Sequence, residues 1–186
     1  MHMGWPYYVK NSISATPDNG LAMLTYGPME VETQLNNKRI KILEETDYPF
    51  EDLIRLKITT DENLRFPLVL RIPTWSRSPA VKVNGALVKG VKSGTLLTLN
   101  REWRNGDRVE LQFPMEIYGQ KQVNNSISIE RGPLVFALEI KPENKITKTH
   151  QVNGFNDYEI RAASSWNYGL VLNRNHVRDA VKLVKG

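Results

Sequence analysis

The residues best suited to chemistry in this sequence are its carboxylates, above all Asp52, Asp61, Glu62 and the adjacent Glu44 and Glu45. Two carboxyl groups about 5 to 10 Å apart across a cleft can hydrolyse a glycosidic bond, one as acid and the other as base or nucleophile. Each of these acids sits at a strand end or in a turn, where solvation accounts for it, so no catalytic residue is assigned. The three histidines, His2, His150 and His176, lie far apart in polar or terminal segments, and none has the i, i+4 partner of a helical metal site. Ser76 and the pair Ser164-Ser165 have no histidine close in sequence, which leaves a nucleophilic triad to be assembled only in space. Cysteine is absent, and with it disulfides, thiolate nucleophiles and every cysteine-based zinc site. The glycines punctuate turns and show neither G-x-G-x-x-G nor P-loop spacing. No metal and no cofactor is implied.

Aromatic side chains are the second kind of candidate, because an aromatic face with a polar edge is suited to stacking on a sugar ring. Trp75 follows Pro73-Thr74 at a strand end, Trp103 lies between Arg101-Glu102 and Arg104-Asn105, and Trp166 lies between Ser165 and Asn167-Tyr168. These three are the carbohydrate-contact candidates, set against the plainer reading that each plugs one end of a sandwich. Trp5, Tyr7 and Tyr8 cluster in a segment without strand alternation, where large aromatics are costly to leave in water, so they are expected to pack on something.

The elements that must position these groups are strands. From Phe66 to Phe113, Leu68, Leu70 and Ile72 alternate with Val69 and Arg71, Val81 and Val83 flank Lys82, and Val109, Leu111 and Phe113 alternate with Glu110 and Gln112. Asn84-Gly85 predicts a type I′ hairpin, whose two central residues need positive φ, and Asn105-Gly106-Asp107 punctuates the next strand pair. Upstream, Leu21–Tyr26, Met29–Leu35, Arg39–Glu45 and Asp52–Thr59 read as strands, with an Asn36-Asn37 turn and a break at Tyr48-Pro49-Phe50. Downstream, Met115–Tyr118 reads as a strand, 119–125 as a polar connection, and Ile127 and Ile129 mark another strand. Leu134–Ile140 reads as a strand buried on both faces, with a short buried helix as the alternative. A long loop is predicted over Lys141–Phe155, short strands at Tyr158–Arg161 and Tyr168–Leu172, and a frayed helix at Asp179–Val184.

Strands every 8 to 12 residues with little helical periodicity predict an all-β fold, an antiparallel β-sandwich, with a barrel as the competing closure. The division expected is an approach segment over 1–20, a sandwich over 21–118, and further strands over 119–186 that form part of a second sandwich or extend the first.

The chain has 186 residues, enough for one domain or two small ones, and 24% of them are charged. A net charge of +5 raises the question of a polyanionic partner. Lysine and arginine are spread singly along strands, as at Arg55, Lys57, Arg71 and Lys82, which describes a solvated sheet face and not a nucleic-acid surface. No apolar run approaches the roughly 20 residues of a membrane span. The N-terminus has no signal-peptide layout, and localisation is left open.

Several ordered motifs carry a family resemblance: Phe66-Pro67-Leu68-Val69-Leu70-Arg71-Ile72-Pro73-Thr74-Trp75, Val83-Asn84-Gly85, Arg101-Glu102-Trp103 with Gly106-Asp107, Phe113-Pro114-Met115, and Glu130-Arg131-Gly132-Pro133-Leu134-Val135. With Tyr48-Pro49 upstream and Ser165-Trp166-Asn167-Tyr168 downstream, the chain resembles the non-catalytic β-sandwich region of glycoside hydrolase family 127, the β-L-arabinofuranosidase-like proteins, from about Trp5 to Leu172. The resemblance implies that the reaction belongs to an (α/α)6 barrel with a zinc-bound cysteine nucleophile and a glutamate acid/base, and neither the zinc nor the nucleophile can be carried onto this chain, which has no cysteine. His2, Gly4, Trp5 and Pro6 resemble the segment just downstream of the barrel's cysteine motif. The expectation is therefore a fragment or truncated product: an accessory module without hydrolase activity of its own, whose partner is the absent barrel and whose Trp5, Tyr7 and Tyr8 face it. The alternative is a carbohydrate-binding module that holds glycan through its loop aromatics.

Overall fold

The computed structural model describes residues 4–173 and 176–184, the side chain of Trp5 apart. His2, Lys185 and Gly186 lie outside the described residues. The chain forms two compact units, one running up to Glu116 together with Arg131–Leu134, the other made of Ile117–Glu130 and the chain from Val135 onward.

The first unit opens with a helix, α1 (Gly4–Lys10), and continues as ten strands: β1 (Ile13–Ala15), β2 (Leu21–Met23), β3 (Met29–Leu35), β4 (Lys38–Thr46), β5 (Leu53–Thr60), β6 (Leu64–Arg71), β7 (Ala80–Val83), β8 (Ala86–Leu87), β9 (Leu96–Trp103) and β10 (Arg108–Gln112). They make a four-stranded sheet, β1-β2-β6-β9, and a six-stranded one, β3-β4-β5-β10-β7-β8. One core draws on both, with Met23, Phe66, Leu68, Leu70 and Trp103 from the first and Ile40, Ile42, Ile54, Leu56, Ile58, Val81 and Leu111 from the second. This is the β-sandwich that the alternation predicts. Along β5 the rule is visible residue by residue: Ile54, Leu56, Ile58 and Thr60 turn inward while Arg55 and Lys57 are exposed. Each fully buried aliphatic side chain of this kind contributes about 1.5–3 kcal/mol.

Turn chemistry sets the register. Asn36 and Asn37 have φ of 51° and 61° and close the β3–β4 hairpin at Leu35 and Lys38. Asn84 and Gly85, at 50° and 82°, close β7 onto β8 at Val83 and Ala86. Positive φ at both central residues is what a two-residue turn requires of right-handed strands. β2 and β6 run parallel, an exception to the antiparallel expectation. Their pairing starts at Leu21 and Leu68, so Pro67, which has no N–H, falls one residue outside that ladder. Gly20 lies over it: a Cβ on Gly20 would sit 2.3 Å from the Pro67 carbonyl oxygen.

The approach segment is more ordered than its composition predicts, being a helix followed by a strand that pairs with β2. Helical periodicity cannot be read from seven residues, so α1 is set by its docking. Ser12, fully buried, donates from Oγ to the Tyr8 carbonyl at 2.9 Å and accepts from the Leu24 amide at 2.9 Å.

The second unit contains β11 (Ile117–Lys121), a 3-10 turn (Val123–Asn125), β12 (Ile127–Arg131), β13 (Leu134–Val135), β14 (Pro142–Thr149), β15 (Asn156–Ala162) and a short helix, α2 (Val177–Ala180). β11, β12 and β13 form one sheet in that order, and β14 and β15 form a two-stranded hairpin. Four expectations change here. The Leu134–Ile140 run is a strand only at Leu134–Val135, and Val135, Phe136, Leu138 and Ile140 are exposed. Apolarity is local, whereas burial needs a covering layer, and among the described residues of this unit only Ile129 and Val177 are buried hydrophobics. The predicted loop over 141–155 holds β14, whose eight residues are all exposed and whose two polar faces leave no period-two signal. Tyr168–Leu172 forms no strand, and the helix falls at Val177–Ala180, not Asp179–Val184.

Candidate functional site

At one end of the sandwich, beneath α1, lie two of its buried polar groups, Ser12 and Glu44. Period-two alternation along β4 brings Glu44 to the same face as Ile40 and Ile42, and its side chain is 2% exposed. Glu45, one residue on, is exposed on the opposite face, so the adjacent acids are not brought together. Glu44 Oε1 accepts a hydrogen bond from the Gly27 amide at 2.9 Å, while Oε2 is buried without a hydrogen-bond partner. Burial disfavours the charged carboxylate and pushes its pKa up to about 8, and the Gly27 N–H only partly opposes this. At neutral pH the residue is therefore largely a neutral acid.

Beside it stands Tyr26, and Arg71 and Tyr48 act in turn on the Tyr26 phenol. Tyr26 donates to the Arg71 carbonyl at 2.8 Å, and its ring meets Tyr48 edge-on at 6.1 Å and Phe113 at 5.7 Å. Arg71 Nε in turn donates to the Leu24 carbonyl. Desolvation first, and the nearby Glu44 second, hold the Tyr26 phenol far above its ordinary range. Tyr48 is also raised, chiefly by desolvation, with the Arg71 charge the largest influence against the rise. Between α1 and this end runs a groove of about 660 Å³, walled by Tyr8, Val9 and Ser12 on one side and by Tyr26, Gly27, Pro28, Met29 and Pro49 on the other. The walls are mostly apolar, and the set contains one buried neutral acid without an opposing carboxylate.

The other candidates fall elsewhere. Trp103 is wholly buried: its Nε1 donates to the Phe66 carbonyl at 3.0 Å and the Arg101 guanidinium lies 5.1 Å from the ring centre. With no face open to solvent it cannot stack on a sugar, which corrects its candidacy and leaves the sandwich-plug reading. Trp75 is half-buried, edge-on to Phe113 at 6.2 Å, so only part of its ring is available. Trp166, in the second unit, is 65% exposed in a stretch without regular structure, and Tyr7 and Tyr8 are exposed on α1. Trp5 belongs to α1, but its side chain lies outside the described residues.

Asp61 and Glu62 are exposed in a turn, and Glu62 pairs with Lys38 at 2.5 Å, which lowers its pKa. Asp52 accepts the Phe113 amide through its backbone. His150 pairs with Asp157 at 3.1 Å and His176 with Asp179 at 3.6 Å. Ser164 Oγ accepts from the Lys141 amide, and Ser76 Oγ is buried without a hydrogen-bond partner. The zinc of the resembled catalytic barrel does not fit this chain. The sequence has no cysteine, and among the described residues no three His, Asp or Glu side chains converge on one point.

The Glu44 site was missed at the sequence level, although a signal existed. Glu44 shares the parity of Ile40 and Ile42, and a carboxylate in phase with two core isoleucines is a buried carboxylate.

Two packed β-sheets around one apolar core define an all-β sandwich domain. Comparison with known proteins then places it. The profile described as "Beta-L-arabinofuranosidase, GH127 middle domain" matches residues 20–115, just over half of the chain, and the chain belongs to that family. The solved GH127 β-L-arabinofuranosidase from Geobacillus stearothermophilus T6 superposes with a TM-score of 0.62 at 21% identity, over 82% of this chain and 31% of its own. A solved glycoside hydrolase gives 0.62 at 27% identity over 88% of this chain and 31% of its own. The GH127 β-arabinofuranosidase BT3674 gives 0.58 at 26% over 78% and 28%. The chain thus spans about a third of the length of these solved structures. No curated protein sequence matches it.

Proposed function

We propose that this chain is a non-catalytic accessory sandwich that supports the (α/α)6 catalytic barrel of a β-L-arabinofuranosidase-type parent and hydrolyses nothing alone. The observation that carries this reading is a coincidence of boundaries: the segment matching the GH127 middle domain, 20–115, is the segment that builds the buried two-sheet core. Its ionisable side chains are spent on structure. Glu44 anchors a turn, and Asp107 ties the β9–β10 corner by accepting from Asn84 Nδ2 at 2.8 Å and from the Arg104 amide at 3.0 Å. The exposed α1 aromatics Tyr7 and Tyr8, with Trp5 on the same helix, supply the face that meets the barrel.

Incubation of the purified chain with an aryl β-L-arabinofuranoside and with arabinose-containing oligosaccharides tests the absence of activity. No turnover is expected, and turnover that follows the protein through successive purification steps overturns the reading. The supporting role is tested by joining the chain to the barrel of a GH127 enzyme in place of its own middle domain. Tyr7→Ala, at the more exposed of the two, is expected to lower the melting temperature of the joined protein while leaving that of the isolated chain unchanged. Equal effects on both would remove α1 as the contact.

A second reading, glycan binding, is favoured by one observation, the exposure of the Trp166 ring beside Ser165 and Asn167. Calorimetry against arabinose-containing oligosaccharides should then show binding that Trp166→Ala abolishes, and heat that Trp166→Ala leaves intact would remove that residue.

A further inference from the structure

The groove beneath α1 is walled by a turn, Tyr26–Met29, whose central amide is held by an acid with one unmatched oxygen. Buried polar atoms without partners are rare in folded proteins, and an ionised carboxylate with one bare oxygen is worse than a neutral acid by its whole lost hydration. Ionisation of Glu44 in place therefore demands water at Oε2. The groups that could stabilise the charge instead are few. Opposite it in the sheet stand Met29 on β3 and Leu56 on β5, which do not titrate. The phenol of Tyr26 faces it and would repel it if ionised, while Arg71 and Tyr48 act on that phenol. From α1 the groove receives Tyr8, and Lys10 is not among its lining residues. Among the described residues, no cation is placed to neutralise Oε2.

We propose that Glu44 is a proton-held latch on the groove wall: protonated, it keeps the Tyr26–Met29 turn closed on the sandwich end, and deprotonated, it admits water and opens that wall. The Gly27–Glu44 bond is the closure, and the buried Oε2 is what makes the closure sensitive to the proton. Because the closed state keeps its proton where the open state has already lost it, the balance between them moves about tenfold per pH unit from the ordinary carboxylate range up to about 8 and levels off above that. An apolar surface seated in the groove keeps water from Oε2, so its binding takes up a proton and weakens as pH rises.

Amide exchange followed by NMR on the full chain tests this. After correction for base catalysis, exchange at Gly27 should rise at least about tenfold between pH 6.5 and 9.5. Strand amides such as Leu56 should not change in step. In Glu44→Gln, neutral at every pH and close in shape, Gly27 exchange should stay within about twofold across the range. The chemical shift of the Gly27 amide gives a second readout, titrating in the native chain and flat in the variant. Gly27 exchange and shift that ignore pH in the native chain, or that follow pH equally in the variant, overturn the latch. A Glu44→Gln chain that does not fold would do the same, since a neutral acid held in place has an amide as its closest substitute.

Discussion

The two units of this chain are built from similarly apolar sequence and end up with opposite surfaces. In the first, apolar residues recur with period two on several strands of two sheets, and each sheet covers the other. Ile54, Leu56, Leu68, Leu70, Val109 and Leu111 are buried to 1% exposure or less. In the second, Val135, Phe136, Leu138, Ile146, Ile160, Trp166, Tyr168 and Leu170 are all at least 40% exposed. Close packing there is local, as where Ile127 and Val177 close over Gly119 with no room for a Cβ. The difference teaches that apolar content does not make a core: a strand buries its inward face only when a second layer is supplied.

The largest expected effect comes from removing the largest fully buried side chain of the core. Trp103→Ala should cost about 3–5 kcal/mol in urea unfolding, from lost burial and from the Phe66 carbonyl left unpaired. A cost below 1 kcal/mol would mean that the first unit lacks the tight core described. Next is Glu44→Gln, whose effect depends on pH. The folded chain holds the Glu44 proton up to about 8, well above the ordinary carboxylate range. Below that range both folded and unfolded forms are neutral and the residue carries no penalty. As pH rises towards 8 the unfolded chain has shed its proton and the folded chain has not, so stability falls, and above 8 the decline levels off. Glu44→Gln should therefore match the native chain at pH 4 and exceed it by about 2–4 kcal/mol at pH 9. Equal stabilities at both pH values would show that Glu44 is solvated.

Gly20→Ala should follow at about 1–3 kcal/mol, because the new methyl group would overlap the Pro67 carbonyl and ring, and thermal unfolding reads it. The smallest effect belongs to the second unit. Ile146→Ala, on an exposed strand, should lie within about 0.5 kcal/mol of the native chain by the same measurement. A loss above 2 kcal/mol would show that a layer covers β14 in solution.

What could be read from the sequence follows the same division. The hairpins at Asn36-Asn37 and Asn84-Gly85 were legible because positive φ leaves a signature in residue type, and the first-unit strands because one face of each is buried. β14 was not, since a ladder held by backbone bonds between polar faces leaves no pattern. The Leu134–Ile140 run misled for the converse reason, being apolar where no layer covers it. The candidate site was half legible: Tyr48-Pro49 was marked as a break between strands, whereas the burial of Glu44 needed its phase with Ile40 and Ile42 to be followed one residue further. Trp103 was a contact candidate set between charged residues, yet its indole is wholly buried and the Arg101 guanidinium lies 5.1 Å from its ring centre.

Hydrogen exchange across the whole chain tests the contrast most directly. Amides of β5, β6 and β10 should exchange only through global unfolding, with protection that falls in parallel as denaturant is added, while those of β14 and β15 exchange orders of magnitude faster at every concentration. Equal protection in both units, lost in one transition, would contradict the placement of the stabilising core in the first unit alone.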